Sequence, residues 1–423
     1  MRLAAPLLAV FGGLLLICQM GRAEDNAPGL PGIVQSLAIS GSARAAYWSS
    51  SMNLDGKNNL PVGALWLKAE PRLGKDTAMV VEGWVMNDDA IRGGGRQGRL
   101  REGYLSASLG DADFRIGKQL VIWGRADRLN PTDNISPRDY TLPVAEDDDQ
   151  RLGAYTAKAV YNFKDWSLTG LWVPKFAPNV LPLPHTPGLN FGERVPDAQQ
   201  GGIKIEQTGK TIDWSMSYYH GLDLNPDISV ASSGGNGVNL QLDHNRLRVF
   251  GTDAATVLGR YSLRAEAAYT LTEDQEGGNP FIKNPFFYLV AGGDRSFFEY
   301  LNINLQYYFR QVTRYQNPLD QPDPLLRTVA IQEAVVNNQF ERVQHGLTFR
   351  ISNKWLNETL EGEIAGIASL TRPDYVIKPK LVYAFNDHWK GSLGVNLFRG
   401  ENTGFYGRLR DNSAVFAEIK YGF

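Results

Sequence analysis

The last eleven residues, Ser413-Ala-Val-Phe-Ala-Glu-Ile-Lys-Tyr-Gly-Phe423, decide how the rest of this 423-residue chain is read. Counting back in twos, Phe423, Tyr421, Ile419, Ala417 and Val415 share one face, and Gly422, Lys420, Glu418 and Phe416 share the other. Side chains on a strand alternate between faces, so this is a β-strand with one apolar side and one largely polar side. An amphipathic edge strand of a soluble β-domain has the same pattern, and the remainder of the chain must separate the two.

A chain ending on such a strand, with an aromatic residue at its carboxy terminus, resembles a bacterial outer-membrane β-barrel. The resemblance implies that Tyr421 and Phe423 belong to a signal read by the barrel-assembly machinery, and that the last strand closes against the first. It also implies outer-membrane lipid and lipopolysaccharide as surroundings.

The amino terminus agrees with export. Arg2, the apolar run 3–17 and Gly21-Arg22-Ala23 ahead of Glu24-Asp25 form a charged start, a hydrophobic centre and a small-x-small cleavage site. This predicts a signal peptide over 1–23, followed by a Pro/Gly-bearing periplasmic leader over 24–32. The single cysteine, Cys18, falls within the signal, so the exported chain would have no disulfide framework. Loss of Arg2 and Arg22 leaves 41 basic against 45 acidic residues, a net charge of −4. That balance gives no argument for nucleic acid or for a strongly selective anion pore.

After residue 23 no run is long and apolar enough for a spanning helix, and the other structure that crosses a bilayer is a closed barrel. Alternating segments recur near 33–49, 63–70, 77–86, 101–109, 113–122, 153–163, 166–173, 201–208 and 211–220. They continue near 246–258, 261–271, 286–294, 298–310, 341–351, 358–368, 375–385, 389–399 and 413–423. The fold class expected is all-β: one closed antiparallel transmembrane β-barrel over 33–423 with about 18 strands, within the range for such barrels. Short connections such as 110–112, 164–165 and 259–260 alternate with long ones at 123–152, 174–200, 221–245, 272–285 and 311–340. Short periplasmic turns and long outer loops account for that alternation. Trp166, Trp214, Trp355 and Trp389 each follow a short polar turn, as an interfacial aromatic girdle would place them.

The layout of the whole mature chain resembles general and sugar porins, and the segment Arg115-Ile-Gly-Lys-Gln-Leu-Val-Ile-Trp-Gly-Arg-Ala-Asp-Arg-Leu-Asn-Pro-Thr-Asp-Asn134 is similar to porin-like barrels including alginate-export-type ones. In general and sugar porins the third outer loop folds inward, which implies that loop 123–151 narrows a pore here. The constriction and selectivity residues expected on this basis are Arg115, Arg125, Asp127, Arg128, Asp133, Arg138, Asp139, Glu146, Asp147 and Asp148. Opposed charges across a pore orient water and make a polar solute compete for hydrogen bonds. A solvated surface loop with internal ion pairs is the plainer alternative.

Alternation puts Arg44, Lys68, Glu70 and Glu82 toward the lumen. Trp84, Tyr104, Trp123 and Tyr140 are expected to stack on solute rings. The run 146–149 lacks the spacing of a calcium loop, so no metal is expected, and no cofactor motif occurs. The proline-rich loop 174–200 reads as an ordered external cap.

The function expected is passive or facilitated passage of small polar or anionic solutes. Export of an exopolysaccharide is the alternative, followed by a plugged structural barrel or a rim hydrolase. A hydrolase would use His220 and His244 with Asp223, Asp227 or Asp243, but no compact catalytic motif surrounds them, and no enzyme is expected. The strand pattern does not distinguish a lipid-facing wall from a subunit-facing one.

Overall fold

The computed structural model describes residues 37–50, 59–87, 96–183, 187–234 and 237–423. The expected signal peptide, leader and residues 33–36 of the first strand lie outside them. The strands in chain order are β1 (Ser40–Ser50), β2 (Asn59–Ala69), β3 (Thr77–Asn87), β4 (Arg96–Leu109), β5 (Ala112–Gln119), β6 (Ala154–Phe163) and β7 (Trp166–Val173). Then come β8 (Leu189–Arg194), β9 (Gln200–Gln207), β10 (Ile212–Leu222), β11 (Asp227–Gly234), β12 (Gly237–Asp243), β13 (Arg246–Leu258) and β14 (Tyr261–Leu271). The last are β15 (Phe286–Phe297), β16 (Leu301–Val312), β17 (Val343–Trp355), β18 (Leu360–Ser369), β19 (Asp374–Ala384), β20 (Trp389–Gly400) and β21 (Ala414–Gly422).

Eighteen of these form one sheet, each stave antiparallel to its neighbours. The sheet closes because β1 pairs β2 on one side and β21 on the other, in a register running from Ser42 opposite Gly422 to Ser49 opposite Val415. Closure removes the two sheet edges that would otherwise leave backbone groups unpaired in lipid. Phe423 completes the seam: its carbonyl accepts from the Gly41 amide at 2.9 Å and its amide donates back at 3.1 Å.

The faces are assigned as the alternation predicts. Val415 and Ile419 are 57% and 51% exposed on the outside, whereas Phe416 is 4% exposed inside, stacked on Trp48 at 4.4 Å. Leu67, Ile116, Ile203, Leu305, Ile364 and Leu381 repeat the exposed apolar pattern around the wall. A continuous apolar exterior over a polar interior is the surface that a lipid bilayer solvates. At the short-turn end Trp166 meets Trp214 edge-on at 5.5 Å, and Trp389 lies 5.0 Å from Tyr421. Trp355 ends β17 rather than following a turn, because the strand runs on to it and the turn falls at 356–359.

Three strands were not expected. β11 and β12 form a hairpin, and β8 joins β12 in parallel, so two long loops read without strands share a small sheet at the long-loop end. These strands are short and rich in polar residues, each contains a glycine, and their sequence reads as loop. Their apolar residues pack with the helix Pro324–Val336 through Ile228, Leu240, Leu242 and Val329.

Candidate functional site

Stave β5 stops at Gln119, three residues earlier than the alternation suggested. The chain turns inward there because Val121 and Trp123 bury themselves with Leu171, Val173, Tyr219, Val249 and Ala268. Segment 120–153 then lies inside the barrel, bonded to lumen-facing residues of distant staves.

Its main anchor is Glu266 on β14, 1% exposed. The carboxylate accepts from the amides of Arg125 (3.0 Å), Ala126 (3.0 Å) and Thr132 (2.7 Å) and from the Thr132 hydroxyl (2.8 Å). Gly124 is required beside it, since a Cβ there would lie 2.6 Å from Glu266 Oε2. Arg125 pairs with Glu206 and, at 2.5 Å, with Asp253. Asp127 accepts from Asn304 (2.5 Å) and Arg264 (3.2 Å), and its amide donates to Gln306 (3.2 Å).

The acidic end of the segment meets the opposite wall. Asp147 pairs with Lys378 at 2.6 Å, Glu146 with Lys380 at 2.8 Å, and Asp149 with Arg44 at 2.5 Å. Arg128 bridges Asp147 (3.3 Å) and Glu363 (3.9 Å). Arg138 donates to the Asp147 carbonyl at 3.3 Å, and its amide donates to Asn179 in the external cap. Asp139 is fully buried against Arg99 at 2.5 Å, and Asp133 pairs with Arg151 at 2.5 Å while Asp148 reaches Arg151 at 3.4 Å.

Burial opposes ionisation of Asp147, but Lys378, Arg128 and Arg138 outweigh it and hold its carboxyl below the ordinary aspartate range. For Asp133 burial wins over Arg151, and its carboxyl is pushed up. A cavity of about 1000 Å³ remains between the segment and the wall; its lining includes Arg128, Tyr140, Asp147, Lys378 and Lys380.

Nine of the ten expected constriction residues therefore lie on the inward segment. Arg115 does not join them: it sits near the short-turn end of β5, 5.5 Å over the Tyr104 ring. Arg44 and Glu82 face the lumen, Glu82 paired with Arg101 at 2.6 Å. Lys68 and Glu70 pair with each other at 2.5 Å at the end of β2.

Two of the four expected stacking residues are corrected. Trp84 is 3% exposed, packed with Trp66, Met86 and Leu142, and Trp123 is 5% exposed in the core, so neither offers a face to a solute. Tyr104 is covered by Arg115, while Tyr140 is 43% exposed on the cavity. The histidines do not form a pair. His244 is buried in the cap, with Nδ1 2.8 Å from the Asp223 carbonyl oxygen and Nε2 3.2 Å from Glu193, and His220 is an exposed residue of β10.

Sequence reasoning missed Glu266, Asp253, Lys378 and Lys380. The signal was present but faint: single charges at alternate positions in otherwise small or apolar staves, as in Arg264-Ala-Glu266 and Lys378-Pro-Lys380.

Among solved structures the chain resembles OccAB3 of Acinetobacter baumannii, with a TM-score of 0.52, 10% identity and coverage of 91% of this chain and 98% of that one. It also matches Salmonella typhi OmpF in complex with daunomycin, with a TM-score of 0.43, 13% identity and coverage of 91% and 97%. No curated protein matches the sequence. The closed barrel, its apolar exterior and the likeness to OccAB3 give this chain the fold of an outer-membrane β-barrel. A family model described as "Protein of unknown function (DUF1302)" matches residues 38–316, and the chain belongs to that family.

Proposed function

We propose that the protein is a passive channel, not an enzyme, for small polar or anionic solutes, with its narrowest point between the inward segment and the wall of β18 and β19. The observation that carries this reading is the cross-lumen set of ion pairs, Asp147 with Lys378 and Glu146 with Lys380, bordering a cavity of about 1000 Å³. Carboxylates on one side and ammonium groups on the other set up a transverse field, in which a polar solute replaces ordered water only if it can satisfy the same groups. Arg128 and Arg138 contribute cations on the loop side, so the aperture has both signs within reach of one small solute. Tyr140 presents an aromatic surface to the same cavity. The surrounding partners in this reading are outer-membrane lipid and lipopolysaccharide, with Tyr421 and Phe423 serving the assembly machinery.

The test is single-channel conductance of the purified protein in a planar bilayer, with and without residues 125–150. Discrete steps that grow on deletion support the channel and the position of its constriction. Steps of unchanged size keep the channel and remove the constriction from this segment. A chain that forms the barrel but passes no current in either form overturns the proposal.

A further inference from the structure

We infer that the mouth of this cavity holds a binding site for an amphipathic monocarboxylate, an apolar ring or chain bearing one carboxylate, with Arg310 as its anion receptor. The inference deepens the channel reading and rests on it for the route by which the solute arrives.

Arg310 lies on the lumen face of β16, opposite Tyr288 of β15 and two residues from the loop end of its stave. Its guanidinium carbon stands 3.8 Å from the centre of the Phe286 ring and 5.7 Å from that of Tyr288. Among the described residues it has no ion pair, and its buried Nε has no hydrogen-bond partner. Three other cations of the cavity wall are neutralised, Arg350 by Glu363, Arg372 by Glu341 and Lys378 by Asp147, and a fourth, Arg408, donates to the Asn402 carbonyl and to the Gln332 amide oxygen.

A guanidinium offers five donors in a planar fork that fits a carboxylate, and it is costly to leave such donors dry and unmet. Cation–π contact with Phe286 holds the charge in place without supplying an acceptor. An anion entering the cavity supplies one.

The body of the ligand follows from what lies around that charge. Tyr308, two residues from Arg310 on the same face of β16, lines the same cavity with Phe398 and Tyr406, giving flat apolar walls, whereas the Phe340 ring is covered by the Arg372 guanidinium at 4.6 Å. A ring or short chain gains contact area there that acetate or chloride does not. A second negative charge is disfavoured, because Asp374 also lines the cavity, with its carboxylate held by the amides of Tyr406 (3.1 Å) and Gly407 (2.7 Å).

The experiment is isothermal titration of the full-length mature protein in detergent with benzoate, acetate and benzamide. Saturable benzoate binding is expected, with acetate and benzamide each weaker by roughly ten-fold or more. Arg310→Gln should weaken benzoate by roughly ten-fold or more and Arg310→Lys by less, since the charge stays but the fork is lost. Tyr308→Ala should weaken benzoate while leaving acetate unchanged, and it serves as the test if Arg310→Gln fails to give heat-modifiable barrel on a gel.

Equal affinity for benzoate and acetate, or benzoate binding indifferent to Arg310→Gln or to Tyr308→Ala, overturns the site. Binding is read at equilibrium, so it is separable from conduction. A protein that binds benzoate but passes no current keeps this site and loses the channel. One that conducts and ignores benzoate keeps the channel and loses the site.

Discussion

Glu266 does more to fix the interior than any charge on the loop itself. Its buried carboxylate holds three loop amides and one hydroxyl, so truncation strands several donors at once. Each stranded buried donor costs about 1–3 kcal/mol. Glu266→Ala is therefore expected to release 124–132 and leave the barrel standing: faster amide exchange at Arg125, Ala126 and Thr132, with unchanged heat-modifiable mobility. Unchanged exchange at those three amides would mean that the segment is held elsewhere. The opposite rim responds to acid. The Asp147 carboxyl is depressed below 3.8 by Lys378, Arg128 and Arg138 against the pull of burial. A depressed carboxyl stabilises its contact fully above the ordinary value, and that contribution is lost as pH falls through the depressed one. The Asp147–Lys378 contact is thus expected to survive to about pH 4 and open below it. Lys378→Met removes the chief cause of the depression, so protonation of Asp147, and with it the loss of its remaining pairing to Arg128, should move to higher pH. Conductance recorded against pH for the two proteins checks the direction, and a transition that does not move would exclude Lys378 as the partner that matters.

The staves were legible because alternation is local: each needs only its own dozen residues to declare which face is apolar, as Ala414–Gly422 does. The direction of the inward segment was not legible in that way. Its anchor lies 141 residues beyond Arg125, and nothing within 120–153 names Glu266 as partner. The small external sheet failed for a related reason, since β8 pairs in parallel with β12 across more than forty intervening residues and neither strand is apolar enough to stand out. The resemblance to porins supplied the inward fold of the third loop, which spacing alone left open, but it also grouped Arg115 with a constriction from which the stave holds it apart. The seam between β1 and β21 is where local pattern and long-range closure meet. Phe416 and Trp48 stack across it at 4.4 Å, both 4% exposed. Phe416→Ala should cost about 3–5 kcal/mol, as large aromatic truncations in packed interiors do. Val415→Ala, one residue away on the outer face, should cost much less, because lipid fills the space it leaves. Urea midpoints of the two variants in lipid vesicles compare them; equal losses would mean that the seam is not packed by this pair.

The same one-residue contrast runs around the entire wall and decides what solvent the molecule is built for. On β16, Leu305 is 50% exposed while Gln306 beside it is fully buried and bonded to the Asp127 amide. A soluble β-domain would have these two exchanged, with leucine inside and glutamine in water. Here the interior is polar, charged and bridged by a loop, and the outside is the apolar surface, so the net hydropathy of the chain says little about its location. The placement of Leu305 near the middle of a twelve-residue stave makes it a direct probe of that assignment. Leu305→Arg should destabilise the folded barrel in a bilayer by about 2–4 kcal/mol, the cost of a cationic side chain on the lipid face near the midplane. Tyr261→Arg, on the same outer surface but at the short-turn end of β14, should cost about 0–1 kcal/mol, because the charge can reach the interface there. The dependence on depth is what distinguishes lipid from a partner protein or from water: equilibrium unfolding in vesicles should rank the two variants in this order, and equal stabilities would sink the claim that Leu305 faces hydrocarbon.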